Sequence, residues 1–199
     1  MTPKAERTRK HILETVAPVF TKKGYVSTSM TVIEHATGLS KGAIYGHFKT
    51  KEILAVEAFN YNIRELIWPL ADQMNAKSSA LKKLQALTDY YRTYYEGYCM
   101  QRGGCTILNV GVDAKSLNPA LFDRVKVVIH KLKGGIIETI LQGIQSGEIR
   151  PGINAEQYGN RIFSMIMGGI FSSTTLKSPE MLDDILDQID IMIATELKL

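Results

Sequence analysis

The chain has 199 residues, 45% of them hydrophobic, with 24 lysine and arginine side chains against 20 acidic ones and a formal net charge of +4. This is the composition of a globular protein with enough apolar residues for its own core, which excludes collagen-like and disordered chains. The longest strongly apolar run without a charge, 162–171, is about half as long as a membrane-spanning helix. Because Cys99 and Cys105 are too few for a disulfide framework, we expect a cytoplasmic protein.

Apolar residues recur at helical spacing along almost the whole chain, and no segment alternates apolar and polar residues as a half-buried strand would. Serine, threonine or asparagine at the starts and glycine at several ends delimit the segments. The helices are predicted over about residues 3–23, 29–36, 41–48, 51–75, 78–99, 106–115, 118–146, 154–176 and 178–196. The sequence therefore predicts an all-α fold of about nine helices.

The basic side chains are concentrated at one end of the chain. Residues 1–51 hold nine lysines and arginines and three glutamates, whereas the remaining residues hold 15 basic and 17 acidic side chains. A localised positive segment is typical of a nucleic-acid-binding module, because phosphate contacts supply most of the affinity that does not depend on sequence. Charge alone is equally consistent with a solvated basic face.

Residues 29–48 have the pattern of a helix-turn-helix. Gly38 allows the positive φ of a tight turn, Leu39 can fill the space between the two helices, and Ser40 can cap the second helix. That helix turns Ile44 and Phe48 inward. The positions left facing outward are Lys41, Gly42, Ala43, Tyr45, Gly46 and His47. We expect these outward positions to face a DNA groove.

The motif and its flanks resemble the TetR (tetracycline-repressor-like) family of bacterial transcriptional regulators. The resemblance covers about residues 9–57, and the segments that carry it are 24–25, 28–30, 38–45 and 48–52. Glu34 and Thr37 depart from the family, which most often has alanine at both positions. We expect Glu34 to point outward or to pair with a base such as Lys41.

The resemblance implies a DNA-binding domain over 1–50 and a helical ligand-binding and dimerisation domain over 51–199. It implies a homodimer that binds a palindromic operator, represses transcription and is released by a small-molecule inducer, without a cofactor. Lys41 is the candidate for a hydrogen bond to the edge of a guanine base. Ser29, Thr31 and Lys51 are candidates for contacts with phosphates. The implied DNA-binding residues are Ser29, Thr31, Lys41, Gly42, Ala43, Tyr45, His47 and Lys51.

Five tyrosines between residues 90 and 98 suggest a ligand pocket in the C-terminal part. Tyr91, Tyr94, Tyr95 and Tyr98 share one side of a helix, with Tyr90 partly to the side. The candidate ligand-binding residues are Trp68, Tyr91, Tyr94, Tyr95, Tyr98, Cys105, Phe122, Phe163 and Met167. An ordinary aromatic core is the alternative interpretation.

Cys105 suggests a second means of regulation. It follows Arg102 by three residues and precedes a predicted helix start, and both features lower the pKa of a thiol. A regulator that senses thiol reagents or electrophiles through Cys105 is therefore an alternative to one that binds a ligand reversibly. A small buried side chain is the other interpretation of this cysteine.

The last two predicted helices each carry a long apolar face, and we expect these faces to form a four-helix dimer interface. The expected interface residues are Ile162, Ile166, Gly169, Ile170, Ser173, Leu182, Ile185, Leu186, Ile189 and Ile193. The alternative is that both faces close the core of a single chain. We favour the interface, because a two-fold dimer places two recognition helices about one turn of DNA, ~34 Å, apart.

Nothing in the sequence indicates catalysis. The four histidines have no metal-ligand spacing, and there is neither a Gly-x-Ser-x-Gly motif nor a phosphate-binding loop after a strand. We therefore expect a protein that is not an enzyme and has no metal site. A helical adaptor that binds an acidic protein through its basic end is a further alternative to the DNA-binding regulator.

Overall fold

The computed structural model describes residues 3–199 and confirms the all-α fold for that range. Its main helices are α1 (Pro3–Ser27), α2 (Met30–Thr37), α3 (Lys41–Tyr45), α4 (Lys51–Asn75), α5 (Ala80–Tyr94), α6 (Thr106–Ala114), α7 (Pro119–Gln145), α8 (Ala155–Leu176) and α9 (Glu180–Met192). Within the described range the β-type pairing is limited to an isolated antiparallel bridge between Ile149 and Lys198. None of the helices described is long and apolar enough to cross a membrane.

Four helices differ from their predicted form. Helix α1 does not end before Gly24 but resumes after a non-helical Gly24 and reaches Ser27. The recognition helix α3 stops at Tyr45, because the backbone N–H groups of His47 and Phe48 both bond to the carbonyl of Ile44. Helix α5 passes into a π-helical segment, Tyr95–Cys99, and a last turn, Met100–Arg102. Helix α9 likewise continues as a π-helical segment, Ile193–Leu197. The apolar periodicity gives no sign of either π-helical segment.

The chain divides into two compact units. The first consists of the residues up to Leu66 together with Arg102–Val127, and the second of Ile67–Gln101 together with Val128–Leu199. Helices α4 and α7 thus contribute residues to both units. The boundary predicted after residue 50 lies inside the first unit.

A buried amide joins three segments of the first unit. The side chain of Asn62 on α4 is 1% exposed, and its amide nitrogen lies 2.9 Å from both the carbonyl oxygen of Ala17 and the hydroxyl of Thr21 on α1. Its own oxygen accepts a hydrogen bond from Arg102 at 3.3 Å. Because a buried amide is costly unless its groups are bonded, these contacts fix α4 against α1.

In the second unit, helices α8 and α9 bury their most apolar faces in the chain's own core. Of the ten residues expected at a dimer interface, nine are buried within the single chain, and Ile185 alone is half-buried. Ile162, Ile166, Ile170, Ser173, Leu182, Leu186, Ile189 and Ile193 thus belong to the core of the single chain, as the alternative interpretation expected. Gly169 also lines a groove at the surface. That any of these residues takes part in a dimer interface stays a prediction. Helical periodicity marks the most buried face but does not distinguish burial within a chain from burial between chains.

A different face of α8 and α9 is left uncovered in the single chain. Phe171 is 60% exposed and Met181 is 39% exposed, although both side chains are large and apolar. Both helices also line a shallow groove, formed by Ser164, Met165, Gly168, Gly169, Ser172, Met181, Asp184 and Ile185. We call Phe171 together with these groove residues the α8–α9 surface.

Candidate nucleic-acid interface and ligand cavity

Local hydrogen bonds build the helix-turn-helix as its sequence predicts. The hydroxyl of Ser29 accepts the N–H of Val32 at the start of α2, and that of Ser40 accepts the N–H of Ala43 at the start of α3, both at 3.3 Å. Between the helices Gly38 adopts the left-handed conformation with φ of 68°. Ile44 is fully buried, so the orientation of α3 is fixed from its inner side.

The outer side of α3 is exposed over its whole length. Lys41, Gly42, Ala43 and Tyr45 are all exposed, and His47 just beyond the helix is half-buried. The ammonium of Lys41 lies 5.9 Å from the ring centroid of Tyr45, so a cation and an aromatic ring form one patch. The structure thus brings together the predicted groove-facing residues, which are Lys41, Gly42, Ala43, Tyr45, Gly46 and His47.

The three predicted phosphate-binding residues lie at helix starts. Ser29 and Thr31 are exposed at the beginning of α2, although the hydroxyl of Ser29 already serves as the helix cap. At the beginning of α4, the ammonium of Lys51 lies 4.2 Å from the ring centroid of Tyr25, and burial lowers its pKa. Whether these side chains contact phosphate remains a prediction.

Tyr25 and Glu52 support Lys51, a role that no residue pattern in the sequence indicates. The Tyr25 hydroxyl donates a hydrogen bond to a Glu52 carboxylate oxygen at 3.2 Å. Burial and the neighbouring Glu52 carboxylate raise the pKa of Tyr25 to about 12. The hydroxyl keeps its proton and its hydrogen bond to Glu52, and the ring holds the Lys51 side chain at the start of α4.

The two departures from the family pattern both stabilise the turn. A carboxylate oxygen of Glu34 accepts the backbone N–H of Lys41 at 2.7 Å, and the Thr37 hydroxyl accepts the N–H of Leu39 at 3.3 Å. Glu34 thus accepts a hydrogen bond from the backbone of Lys41, the first residue of the recognition helix. We expected its side chain either to point outward or to pair with a basic side chain. The hydrogen bond to the backbone leaves the Lys41 side chain available on the outer side of α3.

Replacing Glu34 with alanine is expected to lower the free energy of unfolding by about 1 kcal/mol, because the hydrogen bond to Lys41 is charge-assisted but half-exposed. Urea denaturation followed by circular dichroism measures the change. Glu34→Gln, which retains an acceptor oxygen, should lower the free energy of unfolding less than Glu34→Ala does. Equal stability of the alanine variant and the parent protein would show that the contact does not stabilise the turn.

The second unit contains an apolar cavity of about 170 Å³. Helices α4, α5, α7 and α8 all contribute to its wall. The lining residues are Ile67, Leu70, Ala71, Met74, Leu87, Tyr91, Lys131, Leu132, Gly135, Ile136, Phe163 and Ile166. Enclosure by apolar side chains with few polar groups is typical of a small-molecule site.

Of the predicted ligand-binding residues, Tyr91 and Phe163 line this cavity. Trp68 does not, because its side chain is 64% exposed and the neighbouring Ile67 takes the inward position. Cys105 and Phe122 belong to the first unit, and the Phe122 ring is covered by the ammonium of Lys126 at 5.1 Å. Met167 is half-buried outside the cavity wall. Trp68, Cys105, Phe122 and Met167 therefore lie outside this cavity, and a role for them in ligand binding stays a prediction.

The other tyrosines form an aromatic core, as the alternative interpretation expected. Tyr94 stacks on Tyr90 with ring centroids 5.7 Å apart and on Tyr98 at 4.8 Å. Tyr90 is also buried, although its position in the helix suggested a place to the side. Tyr95 is 2% exposed and lies outside the cavity wall. Tyr94, Tyr95 and Tyr98 are therefore not cavity residues.

Cys105 lacks the features of a reactive thiol. Its side chain is 2% exposed, and burial raises the thiol pKa despite hydrogen bonds from the backbone of Leu108 and Ile107. Arg102, which was expected to lower that pKa, directs its guanidinium to Asn62. The expected lowering of the thiol pKa is wrong, and the structure gives no support to a thiol sensor at this residue.

Ellman's reagent tests this point, and we expect less than one thiol per chain to react within minutes at pH 8 in the native protein. Both Cys99 and Cys105 are buried, so both should react only after unfolding in guanidinium chloride. A Cys99→Ser variant isolates the signal of Cys105. Fast stoichiometric reaction of Cys105 in that folded variant would restore the sensor hypothesis.

Comparison with known proteins identifies the family to which these features belong. Residues 12–58 match the family described as bacterial regulatory proteins, tetR family, and residues 80–189 match the tetracyclin repressor-like C-terminal domain. The chain belongs to the TetR family. It is accordingly a transcriptional regulator, and the first match contains the whole helix-turn-helix described above.

Solved TetR-family structures share the fold along nearly the whole chain. A TetR regulator from Chloroflexus aurantiacus is 31% identical, with 98% of each chain covered and a TM-score of 0.92. A TetR-family regulator from Cytophaga hutchinsonii is 29% identical over 100% of this chain and 98% of its own, with a TM-score of 0.89. The HTH-type transcriptional repressor DhaR from Mycobacterium sp. strain GP1 is 21% identical over 89% of this chain and 88% of its own.

Proposed function

We propose that this TetR-family protein binds a palindromic operator as a homodimer, represses transcription there, and is released by a small molecule held in the cavity of its second unit. The observation that carries the proposal is the outer side of α3. Lys41, Gly42, Ala43 and Tyr45 are exposed together, while Ile44 behind them is fully buried. A rigidly anchored helix with a free polar side is suited to the major groove.

The uncovered α8–α9 surface supports the homodimer. Phe171 on α8 and Met181 on α9 are large apolar side chains that the single chain leaves exposed, and exposed apolar patches mark interaction sites. Gly168 adds a point of close approach, because a Cβ atom placed on it would meet no atom within 4 Å. We propose that this surface, and not the buried faces of the same helices, pairs with its copy across a two-fold axis.

Helix α4 supports control of DNA binding by a ligand. It begins at Lys51, directly after the helix-turn-helix, and its later residues Ile67, Leu70, Ala71 and Met74 line the cavity. A ligand that packs against these residues favours one arrangement of α4 over another. It thereby shifts the population of the dimer toward a spacing that fits the operator poorly. Repression is favoured over activation by the similarity to the repressor DhaR.

Fluorescence anisotropy with the DNA upstream of the protein's own gene tests the proposal. We expect binding that is selective over a scrambled duplex and that weakens with salt with a log-log slope of about −0.9 for each phosphate contacted. If that DNA binds no better than the scrambled duplex, selection from random duplexes should recover the operator. Failure of the selection as well would contradict the proposal and favour a protein partner for the basic end.

A further inference from the structure

We infer that the ligand of the second unit is a small apolar carboxylic acid, whose ring or short chain fills the cavity while its carboxylate pairs with Lys131. The inference rests on the proposed function, because it names the chemical class of the effector. It follows from three properties of the cavity: its size, its opening and its charge.

The volume limits the apolar part of the ligand. A cavity of about 170 Å³ is slightly larger than a cavity of about 150 Å³ that accepts benzene. One aromatic ring with a short substituent, or an aliphatic chain of about six to eight carbons, therefore fills the cavity without rearrangement. The aliphatic and aromatic side chains of the lining make dispersion contacts with an apolar group of this size and exclude water from it.

The opening of the cavity lies beside Lys131. Of the residues that line the cavity, Lys131 and Gly135 are exposed, and the others are buried or half-buried. The two residues are one turn apart on α7, so they are neighbours on its surface. A Cβ atom at Gly135 would meet no atom within 4 Å, which means that the missing side chain leaves free space at this point.

The charge at the opening selects the polar end of the ligand. Lys131 is the charged residue of the lining, and no ion pair joins it to another side chain in the described part of the chain. A single ammonium beside an apolar cavity matches a monoanion, which keeps its charge near water while its body is buried. A phosphate, with nearly two negative charges, would call for more cations than this opening provides.

Calorimetric titration of the DNA-free protein with octanoate, phenylacetate and the uncharged octanol tests the inference. We expect one molecule of octanoate to bind per chain, about tenfold more tightly than octanol. This difference in affinity should shrink as salt screens the attraction between the carboxylate and Lys131. Lys131→Met should remove that difference by weakening octanoate about tenfold without weakening octanol. Lys133→Met, which removes the same charge two residues away outside the cavity lining, should leave both affinities unchanged.

A variant that fills the opening provides an independent test. Gly135→Leu adds bulk where the structure has free space and suits a helix, so it should fold normally and bind the acids at least tenfold more weakly. Octanol binding as tightly as octanoate, an unchanged octanoate affinity in Lys131→Met, or no saturable binding of either acid would overturn the inference. Because the titration contains no DNA, its result is separate from the anisotropy result that tests the proposed function.

Discussion

Replacing Lys41 and Tyr45 together with alanine is expected to weaken operator binding by about 100-fold, because each side chain reaching DNA from a recognition helix contributes about 1–3 kcal/mol. Both side chains are on the exposed side of α3, so their removal leaves Ile44 and the rest of the core unchanged. Fluorescence anisotropy gives the affinity, and circular dichroism with thermal denaturation checks that the fold is retained. The salt slope should also become shallower by about one unit if Lys41 contacts a phosphate and not a base.

The control for this variant removes a lysine elsewhere. Lys82→Ala takes away one positive charge from an exposed position on α5, in the second unit, and should change operator affinity less than twofold. If Lys82→Ala and the double variant lost operator affinity by the same small factor, overall charge alone would determine DNA binding. Such a result would contradict sequence-selective binding by α3.

Replacing Gly168 with leucine is expected to dissociate the proposed homodimer, raising its dissociation constant by about 100-fold or more. In the single chain the added side chain has open space, and leucine favours a helix over glycine by somewhat under 1 kcal/mol. At a two-fold interface the substitution occurs twice and overpacks both copies. Analytical ultracentrifugation measures the dissociation constant, and operator binding should fall with it.

Two other glycines make this result interpretable. Gly134→Leu places the same side chain in open space on α7, outside the α8–α9 surface, and should leave the dimer intact. Gly169→Leu should instead lower the thermal stability of the chain, because its Cβ would lie 2.8 Å from a methyl carbon of Leu182. A Gly168→Leu protein that remains as dimeric as the Gly134→Leu control would place the interface elsewhere.

The helix-turn-helix could be predicted from sequence because its determinants are local. Ser29, Gly38 and Ser40 each act within a few residues of their own position, and the buried Ile44 is separated from its exposed neighbours by helical periodicity alone. The role of Glu34 was missed because its partner is a backbone N–H seven residues away. Residue patterns show which side chains carry charge, whereas they do not show which backbone groups those side chains reach.

The cavity and the exposed α8–α9 surface could not be predicted, because both depend on which elements pack together. Tyr91 and Tyr95 share a helix face in sequence, yet the former lines the cavity and the latter is buried outside it. Trp68 is a large aromatic residue, and one step along the helix decides that Ile67 points inward instead. The most apolar faces of α8 and α9 are taken up by the chain's own core, and the face around Phe171 stays exposed.

Selection of binding sites from a pool of random duplexes, followed by sequencing of the enriched DNA, tests the central claim most directly. The chain is proposed to place two identical α3 helices on one operator, so we expect an inverted repeat whose half-sites are equivalent. The Lys41→Ala, Tyr45→Ala double variant should fail to enrich that repeat. Enrichment of a site without two-fold symmetry, or of no sequence at all, would contradict a dimeric operator-binding regulator.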